Sequence, residues 1–170
     1  MNQSGVILFG VNNIYTVRSG VRDIRCRIKG KVYKEDTKHY NPIAVGDIVE
    51  IMPDPFSDNE GWIINREDRK NAFIRWNRKK KSPQVIAANV DHLLCICSVQ
   101  SPPFRPRFLD RLLVTALIED IDPVIVVNKC DLSMNEETKV RLTDFEQNGF
   151  KVIYCSAKTG EGIDELSSFI

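Results

Sequence analysis

Pro123-Val124-Ile125-Val126-Val127-Asn128-Lys129-Cys130-Asp131 is a run of apolar residues that passes directly into polar ones. The apolar part predicts a strand buried on both faces, as in a parallel sheet covered by helices. Lys151-Val152-Ile153-Tyr154-Cys155 repeats this arrangement, since it runs into Ser156-Ala157-Lys158. Ligand sites in open parallel sheets lie beyond the carboxyl ends of the strands. The two polar ends therefore predict one binding site built from neighbouring loops.

The segments around these two strands alternate between strand and helix patterns. Residues 90–99 are apolar, residues 135–148 read as a polar helix, and residues 162–170 read as the beginning of another helix. A further helix is predicted from apolar residues at helical spacing, which are Phe108, Leu109, Leu112, Leu113, Ala116 and Leu117. This alternation predicts an α/β domain with a parallel sheet and right-handed crossovers.

The first 65 residues have a different pattern, which is typical of short strands. Residues 24–29 alternate between apolar residues and cations, so the cations share one face of a strand. Five such strands predict an all-β barrel of the OB type, a fold that commonly binds oligonucleotides. The predicted domains are the barrel at 1–70, a basic linker at 71–85 and the α/β domain at 86–170.

The overall net charge of +1 conceals one strongly basic segment. Residues 66–81 contain eight cations and only two acids, whereas the segments on either side are neutral or acidic. The local field of such a segment attracts polyanions. A solvated linker is the alternative that charge alone leaves open.

Composition narrows the class of protein further. A hydrophobic share of 42% and a charged share of 28% are those of a globular protein rather than a disordered one. The apolar runs are far shorter than the roughly 18 residues of a membrane helix, and the N-terminus lacks the pattern of a secretory signal. Five cysteines without C-x-x-C spacing indicate neither a disulfide framework nor a zinc site. We expect a cytoplasmic monomer that binds no membrane and has no metal site among these residues.

The polar ends of the two strands match the N-K-x-D and S-A-K motifs of GTP-binding proteins. Guanine offers two donors, N1–H and its exocyclic amine, and an ionised carboxylate such as that of Asp131 accepts both. Adenine reverses this pattern, and a site built on such hydrogen bonds rejects the wrong partner strongly. The N–H of Ala157 is expected to donate to guanine O6, and Asn128 is expected to join the two loops.

The alkyl stems of the two lysines are expected to cover the faces of the base. The complete predicted guanine site is Asn128, Lys129, Cys130, Asp131, Ser156, Ala157 and Lys158. The alternative is a turn capped by Asn128 and Asp131 beside an unrelated helix N-cap at Ser156.

The phosphate-binding loop G-x-x-x-x-G-K-[ST] does not occur in the 170 residues. In most GTPases that loop precedes N-K-x-D, but here the preceding residues are the predicted barrel. Either phosphate binding has been lost or the loop lies downstream of Ile170, and we favour the second interpretation.

The order of barrel, basic segment, N-K-x-D and S-A-K resembles the ribosome small-subunit-dependent GTPase A family. Two further stretches carry the resemblance, Ala88-Asn89-Val90-Asp91 and Phe108-Leu109-Asp110-Arg111-Leu112-Leu113-Val114. Members of that family are circularly permuted GTPases, in which the P-loop and switch regions follow S-A-K and a small zinc-binding domain comes last. The resemblance implies that this chain contains part of a P-loop-GTPase-like sheet.

The resemblance also implies an activity and its partners. The intact protein would bind the small ribosomal subunit and its rRNA late in maturation and hydrolyse GTP there. GTP or GDP, magnesium and a structural zinc are implied as ligands, although the ligating residues for the phosphates, magnesium and zinc are missing from this sequence. We expect no catalytic residue in the 170 residues and neither GTP hydrolysis nor tight GTP binding by this chain alone. The alternative is an OB-type RNA-binding module with a non-catalytic α/β scaffold.

The resemblance implies that the predicted barrel contacts rRNA, so cations of the barrel and of the basic segment gain weight as RNA-binding residues. The predicted RNA-binding residues are Arg25, Arg27, Lys29, Arg75, Arg78, Lys79, Lys80 and Lys81. Tyr15 or Tyr33 would add stacking on bases, although core packing suits Tyr15 at least as well.

Overall fold

The computed structural model describes residues 2–30, 39–57 and 59–169. The chain divides into two compact units, Met1–Val90 and Asp91–Ile170. The regular elements described in the first unit are β1 (Gln3–Val11), β2 (Ile14–Ser19), β3 (Arg22–Ile28), β4 (Ile48–Pro53), β5 (Glu60–Arg66), β6 (Ala72–Asn77) and β7 (Ser82–Ala88). Those of the second unit are β8 (His92–Ser98), α1 (Pro106–Ile118), β9 (Asp122–Asn128), α2 (Glu136–Gln147), β10 (Lys151–Tyr154) and α3 (Ile163–Phe169). Among the described helices, none has the length and apolar character needed to cross a membrane.

Five strands of the first unit close into a barrel in the order β1-β2-β3-β5-β4. Neighbouring strands are antiparallel except β3 and β5, which run parallel. Alternate residues of each strand face inward, and the core they form includes Ile7, Val17, Ile24, Cys26, Val49, Ile51 and Ile63. The barrel predicted from the sequence is confirmed.

Tyr15 belongs to this core, since only 7% of its surface is exposed. Gly10 lets the ring approach the backbone, because a Cβ at Gly10 would lie 2.7 Å from Tyr15 Cδ1. Burial, and to a smaller extent the Asp47 carboxylate, raises the pKa of Tyr15. Core packing is therefore the role of Tyr15, and the stacking alternative for it is wrong. Tyr33 lies outside the described residues.

Most of residues 71–85, where the sequence predicts a linker, lie in a β-hairpin. β6 pairs with β7 in antiparallel register, from Ala72 opposite Ala88 to Asn77 opposite Ser82. Ala72 and Val85 are buried with Ala44 in a small apolar cluster. The hairpin thus has an apolar face within the first unit, and a short alternating pattern among many cations conceals that face in the sequence.

The three strands of the second unit form a parallel sheet in the order β10-β9-β8. Residues 124–127 of β9 are buried, because helices cover the sheet on both faces. Side chains of α1 and α2 pack on one face against Ile125 and Val127. Those of α3 pack on the other face against Val124 and Val126. The predicted α/β architecture is confirmed.

α1 buries a narrower face than the sequence predicts. Leu109, Leu113 and Ala116 are buried, but Phe108 and Leu117 are 48% and 58% exposed. At about 3.6 residues per turn, Phe108 and Leu117 fall on opposite margins of the buried stripe. The predicted apolar face is therefore wrong at these two positions.

Candidate functional site

The carboxyl ends of β9 and β10 lie side by side in the second unit. Tyr154 is opposite Val127 in the parallel register, so the residues that follow the two strands leave the sheet together. The N–H of Cys155 donates to the Val127 carbonyl at 2.9 Å, and the N–H of Cys130 donates to the Cys155 carbonyl at 3.1 Å. The N-K-x-D loop (128–131) and the S-A-K loop (156–158) are thus adjacent.

Asn128 joins the two loops through its side chain. Its Oδ1 accepts from the N–H of Lys129 at 2.7 Å and from the N–H of Ala157 at 3.1 Å. Lys129 has a left-handed backbone with φ of 65°, which is uncommon for a residue other than glycine. One carbonyl oxygen therefore fixes the start of one loop and the middle of the other. The Ala157 N–H, which the sequence predicts to donate to guanine O6, already donates to Asn128 Oδ1.

Asp131 and Ser156 form the second link between the loops. Ser156 Oγ donates to Asp131 Oδ1 at 2.6 Å and accepts from the N–H of Thr159 at 3.2 Å. Ser156 is fully buried, whereas Asp131 is exposed. A carboxylate has about four lone-pair sites, so one bond to Ser156 leaves capacity at both oxygens. Asp131 is held in place and keeps a face open to a ligand.

A tight turn after the S-A-K loop completes the arrangement. The N–H of Ser156 donates to the Glu161 carbonyl at 2.8 Å, and the N–H of Gly160 returns a bond of 2.8 Å to the Ser156 carbonyl. Gly162 has φ of 69°, and a Cβ on it would lie 2.0 Å from the Tyr154 carbonyl oxygen. Glycine is thus required at 162. This turn is not among the features predicted from the sequence, although the run Gly160-Glu161-Gly162 is a signal for it.

The two lysines of the predicted site are placed differently. Lys129 Nζ donates to the Ser101 carbonyl, which directs its side chain toward the segment after β8. Lys158 is exposed at the tip of its loop. Burial, and then the Glu161 carboxylate, raises the pKa of Cys130, so its thiol stays protonated at neutral pH.

A cavity of about 850 Å³ lies beside the two loops on the β8 side. Asn128 and Lys129 form part of its wall, and Asp131 and the S-A-K loop do not. The remaining wall combines apolar side chains such as Ile96 and Phe108 with three cations, Arg105, Arg107 and Arg111. Ile96 is 61% exposed on β8, and the described residues pair β8 on one side only, with β9.

The predicted RNA-binding cations of β3 lie among acidic residues. Arg25 and Arg27 are exposed, and both line a small cavity of about 110 Å³ together with Asp54 and Glu60. Arg25 is opposite Glu60 in the strand register. Lys29 Nζ contacts Met52 Sδ at 3.8 Å. The positive charge of this face is therefore offset locally.

The cations of the β6–β7 hairpin are more open. Arg75 and the four residues of the turn are all exposed, and the turn consists of Arg78, Lys79, Lys80 and Lys81. Asn77, which precedes this turn, accepts from the N–H groups of Lys79 and Lys80, at 3.1 Å each. We call residues 78–81 the basic turn.

Two other cations of the basic segment, Arg66 and Arg69, are largely buried beside a carboxylate. Arg69 donates from Nε and Nη2 to the two carboxylate oxygens of Asp47, at 2.7 and 2.8 Å. Arg66 approaches the same carboxylate to 3.9 Å. Asp47 is fully buried, so Arg66 and Arg69 hold the first unit together. Within residues 2–30, 39–57 and 59–169, no group of three or more His, Cys, Asp or Glu side chains could hold a metal ion.

Comparison with known proteins identifies the family. The sequence profile of the RsgA GTPase family matches residues 66–170. "Small ribosomal subunit biogenesis GTPase RsgA" of Borrelia recurrentis is 37% identical over 172 residues, which cover 96% of this chain and 52% of the relative. The protein of the same name from Flavobacterium psychrophilum is 34% identical, with 98% of this chain and 53% of the relative covered. The chain thus spans about half the length of these relatives.

Solved structures agree with the sequence match. YjeQ from Thermotoga maritima is 29% identical with a TM-score of 0.75, and the match covers 99% of this chain and 57% of that chain. YloQ, described as a circularly permuted GTPase, is 26% identical with a TM-score of 0.67, and the match covers 99% and 55%. The 170-residue chain belongs to the RsgA GTPase family.

Proposed function

We propose that the whole protein binds and hydrolyses GTP during late maturation of the small ribosomal subunit. In this proposal the present chain supplies the loops that recognise guanine and a barrel unit that binds rRNA. The observation that supports it most directly is the bond of 2.6 Å between Ser156 Oγ and Asp131 Oδ1, because the bond fixes the carboxylate beside the S-A-K loop.

The base is recognised by hydrogen bonds from both loops. Asp131 accepts from guanine N1–H and from the exocyclic amine with the lone pairs that Ser156 leaves open. The Ala157 N–H donates to guanine O6 while it is shared with Asn128 Oδ1, as in other three-centre hydrogen bonds. Adenine would present a lone pair to Asp131 and a donor to Ala157, so both contacts would become repulsive.

The phosphates are expected on the β8 side of the loops. The cavity there contains three arginines, which suit an anion, and it adjoins Asn128 and Lys129. The exposed edge of β8 suits pairing with another strand. We propose that the phosphate-binding loop belongs to the half of the relatives' length that this chain does not span, and that it is completed beside this cavity.

The proposal has a consequence for GTP binding and hydrolysis by the 170-residue chain alone. Phosphoryl transfer depends on positioning and on charge stabilisation at the phosphates, and the 170 residues contain no G-x-x-x-x-G-K-[ST] loop to supply them. The 170-residue chain is expected to bind guanine weakly and to hydrolyse no GTP. Steady phosphate release above the level of an Asp131→Asn control would contradict this expectation.

The partners follow from the same proposal. The names of the relatives describe biogenesis of the small ribosomal subunit. The exposed cations of the β6–β7 hairpin, and to a smaller extent those of β3, supply the attraction to rRNA phosphates. A factor with this role acts as a cytoplasmic monomer that joins the ribosomal subunit.

Base recognition can be tested on the 170-residue chain by NMR titration with nucleosides. Because nucleosides carry no phosphates, the titration measures binding of the base and sugar alone. Guanosine is expected to shift the amide signals of residues 128–131 and 156–158, whereas adenosine at the same concentration leaves them unchanged.

Asp131→Asn should weaken guanosine binding by about 100-fold, because an amide N–H then faces the donors of the base. Xanthosine, which carries a carbonyl in place of the amine, should bind the variant better than guanosine does. Asp144→Asn, at a half-exposed position on α2, is the matched control and should keep the guanosine response. Equal responses to guanosine and adenosine would refute base recognition.

A further inference from the structure

We infer that the tip of the β6–β7 hairpin binds single-stranded RNA, with the Trp76 ring stacked on an unpaired base. This inference rests on the proposed RNA binding of the first unit and goes beyond it by naming the form of RNA and the aromatic contact. Trp76 is 61% exposed, and the basic turn begins two residues after it.

The basic turn has an ordered backbone. Asn77 Oδ1 accepts from the N–H groups of Lys79 and Lys80, and Asn77 Nδ2 donates to Gln84 Oε1 at 3.0 Å. Lys81 takes a left-handed conformation with φ of 51°, which brings the chain back into β7. The four cations are therefore presented from a fixed loop, so binding to a polyanion would order only their side chains.

The charge of the basic turn is not offset by carboxylates of the described residues. In the part of the chain that the structure describes, no ion pair joins residues 78–81 to a carboxylate. Four adjacent cations repel one another, and a polyanion that binds there relieves this repulsion. The β3 face differs, because Arg25 and Arg27 share their cavity with Asp54 and Glu60.

Two exposed aromatic rings adjoin the turn. Trp76 is opposite Pro83 in the hairpin register, and the N–H of Tyr40 donates to the Pro83 carbonyl at 2.7 Å. Tyr40 is 48% exposed, and Lys80 Nζ lies 5.5 Å from the centre of its ring. Aromatic rings thus occur in the two chain segments that flank Pro83, and a cation lies against one of them.

Trp76 is not part of the apolar cluster that the hairpin buries. The small apolar cluster beneath it is formed by Ala44, Ala72 and Val85, with Ile74 packed against it. An indole with most of its surface in water contributes little to that cluster, since hydrophobic stabilisation scales with the area removed from water. Its exposed ring remains available for a ligand.

The aromatic ring selects the form of RNA. Cations attract the phosphates of single strands and duplexes alike, whereas a base face is open to stacking only when the base is unpaired. Grooves for single strands combine such cations with aromatic side chains on which bases stack. Trp76 beside the basic turn therefore favours a single strand over a duplex.

The inference is tested with the 170-residue chain and a 12-nucleotide single-stranded RNA, with a blunt 12-base-pair RNA duplex for comparison. Fluorescence anisotropy measures both affinities over a range of salt concentrations. Trp76→Ala should weaken single-strand binding by about 5- to 100-fold, because stacking on one base is lost. Duplex binding and the salt dependence should stay unchanged, because the phosphate contacts remain.

Two controls separate stacking from a loss of structure. Trp76→Phe keeps an aromatic face and should restore most of the affinity for the single strand. Phe56→Ala removes a ring that is 96% exposed and lies outside the hairpin, so it should leave the affinity unchanged. Quenching of tryptophan fluorescence by the single strand should disappear in Trp76→Ala, which retains Trp62.

The outcomes that oppose the inference are distinct. If the chain binds RNA in a salt-dependent way but Trp76→Ala binds the single strand as tightly as the unaltered chain, the stacking inference is refuted and RNA binding stands. If the duplex binds as tightly as the single strand, the assigned form of RNA is wrong. If the unaltered chain binds neither RNA, the proposed RNA binding of the first unit fails together with the inference.

Discussion

The basic segment 66–81 contains two groups of cations that look alike in sequence and differ in the fold. Arg66 and Arg69 lie against the buried carboxylate of Asp47. The basic turn, which begins 12 residues after Arg66, is exposed and has no carboxylate partner in the described part of the chain. The location of the acids, rather than the number of cations, therefore decides whether a basic segment stabilises a fold or attracts a ligand.

The paired group shows why burial demands a partner. Asp47 is fully buried, and besides Arg69 it accepts from the N–H of Ala44 at 2.7 Å. Arg69 also donates to the Pro42 carbonyl at 3.2 Å. A buried charge without such partners is strongly destabilising. The group therefore connects the segment before β4 to the segment after β5.

The largest effect is expected from Asp47→Ala, which breaks the paired group. Removal of the carboxylate takes away the charged partner of the largely buried Arg69 guanidinium, which keeps only its bond to the Pro42 carbonyl, so the free energy of unfolding should fall by about 3 to 5 kcal/mol. Urea unfolding followed by tryptophan fluorescence measures this, because both tryptophans, Trp62 and Trp76, lie in the first unit.

Asp23→Ala is the matched control, since Asp23 forms an equally short bidentate pair with Arg18 at the surface. Loss of this exposed pair should change the free energy of unfolding far less, because water and salt screen exposed charges. If both substitutions destabilised the protein equally, burial would not be what distinguishes the pairs.

A smaller effect, on binding rather than stability, is expected from alanine at Lys79, Lys80 and Lys81. Each phosphate contact on a single strand contributes about 0.7 to the slope of log affinity against log salt, so the slope should fall by about 2. At about 0.1 M salt the affinity for single-stranded RNA should fall by roughly 10- to 100-fold.

The unfolding free energy of this triple variant should stay within about 0.5 kcal/mol of the unaltered chain, as for other surface changes. Alanine at Lys139, Lys151 and Lys158, which removes the same charge from the second unit, should leave the salt slope unchanged. An equal loss of slope in both triple variants would mean that net charge, rather than the basic turn, governs binding.

The smallest effect is expected from Asn77→Ala, which loosens the basic turn without removing a cation. Loss of the side-chain bonds to the turn should lower the free energy of unfolding by about 1 kcal/mol. The affinity for single-stranded RNA should fall only a few-fold, because the charges remain and the loop must be ordered on binding.

Asn77→Asp keeps the acceptor for the two N–H groups and should retain the stability that Asn77→Ala loses. Thermal unfolding compares the three proteins. If Asn77→Asp were as unstable as Asn77→Ala, the bonds from Asn77 Oδ1 would not be what holds the turn.

The sequence predicts the barrel and the parallel sheet because their signals are local. Alternation along β3 and the unbroken apolar run in β9 each fix which faces are buried. The meeting of the N-K-x-D and S-A-K loops follows as well, since parallel strands bring their carboxyl ends to one edge.

Other features depend on contacts that are distant in sequence. The pairing of Asp47 with Arg69 spans 22 residues, so the cations at 66 and 69 look the same as those of the basic turn. The sequence predicts a linker where the hairpin lies, because the apolar face of the hairpin has few residues and packs against Ala44, which is distant in sequence. The sequence predicts that Asn128 joins the two loops but not that its partner is the Ala157 N–H, because loop backbone groups have many possible partners.

The carbonyl oxygen of Asn128 accepts from a backbone N–H group in each of the two loops. It holds the Ala157 N–H before any purine arrives, so the two loops meet an incoming base already assembled. If guanine binds as proposed, little backbone freedom is lost at this end of the nucleotide. The rate of nucleotide exchange would then be set by the contacts to the phosphates. The preassembled loops would serve to discriminate guanine from other bases.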